Sequence, residues 1–279
     1  MNHLSPTVSV EWLQEHLQDD DLIILDASME KVVGMEPVLY PSLLCIPNSI
    51  KLDIENKFHH HHASQPHTMP SAQQFTEEAQ KLGVNQHSTV VIYDNQGVYA
   101  SPRAWWMLKS MGVENVTVLD GGLPKWINHN YATTNQYAIA KKGNIIGLYQ
   151  EGSLSRAEEV LNVLNNNDYK ILDARSPPRF LAQAPEPRPG IRGGHIPNSI
   201  NLPFSHLLNG PGFKKIEALQ QIFLKLGVKD TQQLIFSCGS GITACIILLA
   251  ARIAGLDNLS LYDGSWSEWG SDEQLPIEK

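Results

Sequence analysis

The sequence has few cysteines, no excess of positive charge and no long uninterrupted apolar run. Only three of its 279 residues are cysteine, Cys45, Cys238 and Cys245, which are too few for a disulfide framework and lack the spacing of a metal site. The net charge of -8 and the absence of a Lys/Arg stripe argue against a nucleic-acid surface. Polar residues interrupt every apolar run before it reaches membrane-spanning length, so we expect no membrane segment.

The compartment is predicted from the same absences. The opening MNHLSPTVSVEW has no basic stretch followed by an apolar core, so it does not have the pattern of a secretory signal. Cysteines without a disulfide framework suit a reducing compartment, and we expect the protein to be cytoplasmic. The 42% hydrophobic and 18% charged content is typical of a globular protein with a sizeable core.

A repeat divides the chain into two similar halves. The pattern VEWLQEHLQDDDLIILDA ends at Asp26 and returns as RAEEVLNVLNNNDYKILDA ending at Asp173, and IPNSI occurs at 46–50 and 196–200. Each half alternates strands with helices, which predicts a parallel sheet covered by helices on both faces. We therefore expect an α/β protein with two tandem domains, over 1–135 and 153–279, joined by a linker over 136–152.

The most informative stretch is QLIFSCGSGITACIILLAARIA at 233–254. Its start is typical of a buried parallel strand, and its apolar run from Ile242 onward is typical of a buried helix. The Cys238-Gly-Ser-Gly-Ile-Thr243 loop between them favours a curled backbone, whose amides and helix dipole stabilise a thiolate. The alternative is an inert core cysteine. The position at the carboxyl end of a strand favours a reactive sulfur.

The first half carries Asp94 where the second half has Cys238. A carboxylate in a nest of amides is well solvated, but it is not a sulfur nucleophile. The N-terminal half is therefore predicted to be a catalytically silent copy.

Several motifs together resemble a known family. CGSGITA, GHIPNSINLP and YDGSWSEW, set in a tandem repeat, resemble the two-domain rhodaneses, and more narrowly the 3-mercaptopyruvate sulfurtransferases. The resemblance implies two rhodanese-like domains and a Cys238 persulfide that takes its sulfur from 3-mercaptopyruvate. It also implies a thiol acceptor such as thioredoxin, or cyanide, and no metal or organic cofactor.

The resemblance also implies roles for individual residues. Arg179 and Arg188 would hold the substrate carboxylate, as an arginine fork does. Ser240 would relay a proton with help from Glu55 and His67, with Asp53 as a nearby alternative acid. The full set of substrate-binding residues is Arg179, Arg188, Gly239, Gly241, Ile242 and Thr243.

Three alternatives stay open. The first is a thiosulfate sulfurtransferase, although such members carry basic residues after the cysteine, where this chain has neutral Gly239 and Ser240. The second is a cysteine-dependent phosphatase, which would need an arginine where Thr243 and Ala244 stand. The third is a non-catalytic persulfide carrier in a sulfur relay.

Other conspicuous residues are expected to be structural. The run from His59 to His62 lacks tetrahedral ligand spacing and is predicted to be a solvated loop. Cys45 and Cys245 are predicted to pack in the core. Trp266, which follows a strand beside that of Cys238, is predicted to lie near the pocket.

Overall fold

The computed structural model describes residues 4–61 and 63–279. Residues 1–3, at the start of the segment considered as a signal, and His62 of the histidine run lie outside the described residues. The described residues form two compact units, one of 4–61, 69–150 and 208–213 and the other of 63–68, 151–207 and 214–279. Each unit takes a short segment from the other half of the chain.

The first unit is built on a parallel sheet with strand order β1-β5-β4-β2-β3. Its strands are β1 Thr7–Val8, β2 Leu22–Asp26, β3 Ile50–Lys51, β4 Thr89–Tyr93 and β5 Val116–Leu119. Its helices are α1 Val10–His16, α2 Ala72–Lys81, α3 Ser101–Ser110 and α4 Gly122–Asn128. Serine caps begin two of these helices, since the Ser9 hydroxyl accepts the Trp12 N–H and the Ser71 hydroxyl accepts the Gln74 N–H.

The second unit repeats this topology, with strand order β6-β12-β11-β7-β8 and all neighbours parallel. Its strands are β6 Leu154–Ser155, β7 Tyr169–Asp173, β8 Ile200–Asn201, β11 Gln233–Ser237 and β12 Leu259–Tyr262. Its helices are α5 Ala157–Val163, α6 Pro177–Phe180, α7 Ile216–Lys225, α8 Ala244–Ile253 and α9 Ser265–Trp269. A short antiparallel hairpin, β9 Leu208–Asn209 with β10 Gly212–Phe213, belongs to the first unit.

Both faces of each sheet are buried, which explains the continuous apolar runs in β4 and β11. In the first unit Val91 and Tyr93 pack with Trp126 of α4, while Val90 and Ile92, which face the other way, are equally buried. In the second unit Ile235 packs with Trp266 and Trp269. The predicted α/β class with two parallel sheets and helices is confirmed.

The segment predicted as a linker packs against the first unit over most of its length. The Ala138 N–H donates to the Ser49 carbonyl at 2.8 Å, and the Gly143 N–H donates to the Gln80 carbonyl at 2.7 Å. The limits of 1–135 and 153–279 stay a prediction. Within the described ranges, no helix is both long enough and apolar enough to cross a bilayer.

Candidate active site

Cys238 lies directly after β11, at the carboxyl end of a central strand of the second sheet. Its side chain is 2% exposed, and its Sγ accepts the Gly241 N–H at 3.1 Å. Gly241 has a φ of 79°, a left-handed conformation that glycine adopts without strain and that turns its amide toward the sulfur. Gly239, Ser240 and Thr243 are partly exposed, while Ile242 is buried. The predicted curled loop is thus present, with one amide on the sulfur.

The first residues of α9 hold the backbone of Cys238 and Gly239. The Ser265 hydroxyl accepts the Cys238 N–H at 3.2 Å and donates to the Tyr262 carbonyl at 2.9 Å. The Trp266 N–H donates to the Cys238 carbonyl and the Ser267 N–H to the Gly239 carbonyl, both at 2.9 Å. Sequence reasoning missed Ser265 and Ser267. The YDGSWSEW motif marked this segment, but it did not show that these residues bond to the Cys238 loop.

Trp266 is fully buried, and its backbone N–H contacts the carbonyl of Cys238. Its indole N–H donates to the Arg192 carbonyl at 2.9 Å, and the guanidinium carbon of Arg175 lies 4.4 Å from the ring centroid. Trp266 therefore supports the site from inside the core, because its ring packs against β7 and β11 side chains.

Arg179 packs against the cysteine loop, and Arg188 is linked to it through the Ser267 hydroxyl. A Cβ placed on Gly239 would lie 2.9 Å from Nη2 of Arg179, so this guanidinium packs directly against the loop. Nη1 of Arg188 donates to the Ser267 hydroxyl at 3.3 Å, and that hydroxyl in turn donates to the Gly239 carbonyl. Two cationic groups therefore stand beside the neutral loop, where they can bind an anion.

A buried ion-pair network that sequence reasoning did not identify lies behind Arg179. Arg175 pairs with Asp173 at 2.7 Å and with Glu186 at 2.9 Å, and Glu186 pairs with Arg179 at 2.5 Å. Burial disfavours the charged guanidinium of Arg175, but the carboxylates of Asp173 and Glu186 outweigh it and raise the pKa of the side chain. The sequence shows two acids and two arginines at the end of β7 and shortly after it. Their spacing does not show which of them pair.

The structure brings His67 and Ser240 together within the second unit. Nδ1 of His67 lies 3.1 Å from the Ser240 hydroxyl oxygen, and the tautomer of the ring decides which of them donates. Glu55 lies in the first unit, where its carboxylate accepts the Glu30 N–H at 2.9 Å and lines a cavity of about 410 Å³. Asp53 lines the same cavity and accepts the Asn56 N–H at 3.0 Å.

The corresponding loop of the first unit is filled by Asp94. One oxygen of its carboxylate accepts the N–H groups of Tyr99, Ala100 and Ser101 at 2.9, 3.0 and 2.8 Å. The other oxygen accepts the Gln96 N–H at 2.9 Å. The nest of amides is therefore occupied by the chain's own carboxylate, and the catalytic silence of this unit stays a prediction.

The remaining conspicuous residues are the histidine run and the other two cysteines. Among the described residues there is no group of three or more His, Cys, Asp or Glu side chains that could hold a metal ion. Burial, followed by the neighbouring His61, lowers the pKa of His59. Cys45 and Cys245 are fully buried, and the Cys245 thiol donates to the Gly241 carbonyl at 3.3 Å.

Comparison with known proteins identifies the family. The profile of the "Rhodanese-like domain" matches residues 9–129 and 156–272. The chain belongs to the rhodanese family. The predicted resemblance and the tandem repeat are both confirmed.

Its relatives are sulfurtransferases over nearly the whole length. The chain is 36% identical to the 3-mercaptopyruvate sulfurtransferase of Escherichia coli (strain K12) over 273 residues, which is 97% of each chain. It is 33% identical to the thiosulfate sulfurtransferase of Cricetulus griseus, covering 94% of this chain and 91% of that one. The crystal structure of SseA from Escherichia coli, described as a 3-mercaptopyruvate sulfurtransferase with the rhodanese fold, matches with a TM-score of 0.83 at 34% identity, covering 95% of this chain and 100% of that one.

Proposed function

We propose that the protein is an enzyme that transfers the sulfur of 3-mercaptopyruvate through a Cys238 persulfide to a thiol or to cyanide, and releases pyruvate. One observation carries the proposal: the Cys238 sulfur accepts the Gly241 N–H in a loop that the Arg179 guanidinium packs against and that the Arg188 guanidinium meets through the Ser267 hydroxyl. The names of the full-length relatives agree with this chemistry.

The first half-reaction balances without a metal or an organic cofactor. The Cys238 thiolate attacks the substrate sulfur, so that an S–S bond forms while the C–S bond breaks. The electron pair of the C–S bond becomes the enolate of pyruvate, which takes one proton at carbon to give pyruvate. Arg179 and Arg188 hold the substrate carboxylate, and the loop residues Gly239, Gly241, Ile242 and Thr243 surround the reacting sulfur.

The proton for the enolate comes through Ser240 and His67. Their 3.1 Å contact makes a pair that can pass a proton from the ring to the hydroxyl and from there to the substrate. The part of Glu55 in this relay stays a prediction.

In the second half-reaction an acceptor thiolate attacks the outer sulfur of the persulfide and Cys238 leaves as a thiolate. A thiol protein such as thioredoxin fits this step, as does cyanide. The three free cysteines suit a reducing compartment, and the cytoplasm is the compartment we propose.

Steady-state transfer to cyanide, scored as thiocyanate, tests the proposal with 3-mercaptopyruvate and thiosulfate as donors. We expect 3-mercaptopyruvate to be preferred, no turnover in Cys238→Ser, and a raised KM for this donor in Arg179→Ala and Arg188→Ala. A preference for thiosulfate would keep the persulfide and overturn the donor assignment. Silence with both donors would favour a persulfide carrier.

A further inference from the structure

The four charged side chains behind the cysteine loop form an alternating row. Asp173, Arg175, Glu186 and Arg179 follow one another through contacts of 2.7, 2.9 and 2.5 Å. Two carboxylates (-2) and two guanidinium groups (+2) give the row a formal charge of zero. Only its last member, Arg179, faces the loop.

Burial makes this pairing strong. The side chains of Arg175, Asp173 and Glu186 are 0%, 1% and 2% exposed, while that of Arg179 is 17% exposed. Charges that are buried and in contact are screened little by solvent, so the Glu186 carboxylate cancels much of the field that Arg179 would exert on a ligand.

Arg188 is in a different situation. Its guanidinium donates to the neutral hydroxyl of Ser267, and it takes part in no ion pair among the described residues. The anion subsite at the loop therefore presents two guanidinium groups but roughly one net positive charge. Gly239 and Ser240 add no charge of their own.

We propose that Glu186 determines the choice of sulfur donor by holding this subsite near a single net positive charge. One net charge matches the carboxylate of 3-mercaptopyruvate, a monoanion, and leaves half of the charge of thiosulfate, a dianion, uncompensated. Glu186 acts through Arg179 and is a specificity-determining positioning residue that does not itself touch the donor. This inference rests on the proposed sulfur transfer.

Glu186→Gln tests the charge at nearly constant shape. Removing one negative charge adds about one unit of positive charge to the subsite. The dianion thiosulfate then gains more electrostatic attraction than the monoanion 3-mercaptopyruvate. We expect the ratio of kcat/KM for thiosulfate to that for 3-mercaptopyruvate to rise about tenfold at low salt, and the rise to shrink as salt is added. Glu186→Asp keeps the charge and should keep the wild-type ratio even if both rates fall.

The matched control is Glu158→Gln, because Glu158 is an exposed acid on α5 and makes none of the network contacts. Its donor ratio should equal that of the wild type. A folded Glu186→Gln protein with an unchanged ratio overturns the inference while leaving sulfur transfer intact. A wild-type protein that transfers sulfur from neither donor overturns the proposed function instead.

If Glu186→Gln does not fold, inhibition of the wild-type enzyme by anions tests the net charge of the subsite. Sulfate and pyruvate carry two and one negative charges and compete for the same subsite. A subsite of one net charge predicts that sulfate inhibits no more tightly than pyruvate. Sulfate binding about tenfold tighter than pyruvate would contradict the inference.

Discussion

At the scale of single residues, Ser265 adopts a backbone conformation that glycine normally occupies. Its φ is 50°, and the matching residue of the first unit, Gly122, has a φ of 49°. A left-handed non-glycine residue costs about 1 kcal/mol. Ser265 is tolerated there because its hydroxyl accepts the Cys238 N–H and donates to the Tyr262 carbonyl.

Substitutions of Ser265 separate these two effects. Ser265→Ala loses the hydroxyl and keeps the strain, whereas Ser265→Gly loses the hydroxyl and relieves the strain. We expect the alanine variant to be about 1 kcal/mol less stable to denaturant than the glycine variant, and both to transfer sulfur more slowly than the wild type. Asn130→Gly, at an exposed residue with a φ of 58°, is the control and should leave transfer unchanged. Equal stabilities of the two variants would contradict the strain argument.

Some of the candidate residues carry a local signal in the sequence. Cys238 stands out by residue type and motif, and Arg179 and Arg188 by the family resemblance. Arg179 packs against the Cys238 loop, and Arg188 contacts the Ser267 hydroxyl, which bonds to that loop. Glu186 could not be assigned from the sequence, because its function depends on which two guanidinium groups it meets after folding.

At the scale of elements, the position of Cys238 is set by β11, the loop after it and α8. Sequence periodicity predicts a helix from Ile242, whereas α8 begins at Ala244. The difference arises because Gly241 is left-handed and is followed by a tighter turn. In this turn each hydrogen bond spans three residues, from the Cys245 N–H to the Ile242 carbonyl and from the Ile246 N–H to the Thr243 carbonyl. The conformation of this turn is what aims the Gly241 N–H at the sulfur.

Gly241→Ala tests that role, with Gly255→Ala as its matched control. Both glycines have positive φ, 79° and 95°, and Gly255 ends the same helix with open space around it. Each substitution should destabilise the protein by about 1 kcal/mol through backbone strain. Only Gly241→Ala should lower the transfer rate, since it moves the amide off Cys238. An equal loss of rate in Gly255→Ala would mean that strain alone, and not the amide, matters.

At the scale of the whole molecule, the two units do not coincide with the two halves of the sequence. Residues 63–68, from the first half, belong to the second unit, and residues 208–213, from the second half, belong to the first. As a result His67 contacts Ser240, which lies 173 residues further along the chain.

His67→Ala should therefore slow sulfur transfer at Cys238, although His67 comes from the first half of the sequence. We expect kcat for sulfur transfer to fall about tenfold to a hundredfold with KM little changed, because proton transfer is affected and carboxylate binding is not. His87→Ala, at an exposed histidine of the first unit, is the control. A raised KM with an unchanged kcat would point to a binding role instead.

The sequence by itself determined the repeat, the two parallel sheets and the strand–loop–helix that carries Cys238, because these depend on residue type and short spacing along the chain. Only the tertiary structure decided the neutralisation of Arg179 by Glu186 and the support of Cys238 by Ser265. The pairing of His67 with Ser240 was predicted from the family resemblance, and folding brings the two side chains to 3.1 Å. These contacts join residues between 7 and 173 positions apart. Their partners are selected by packing, burial and the need to pair buried charges, which no local pattern encodes.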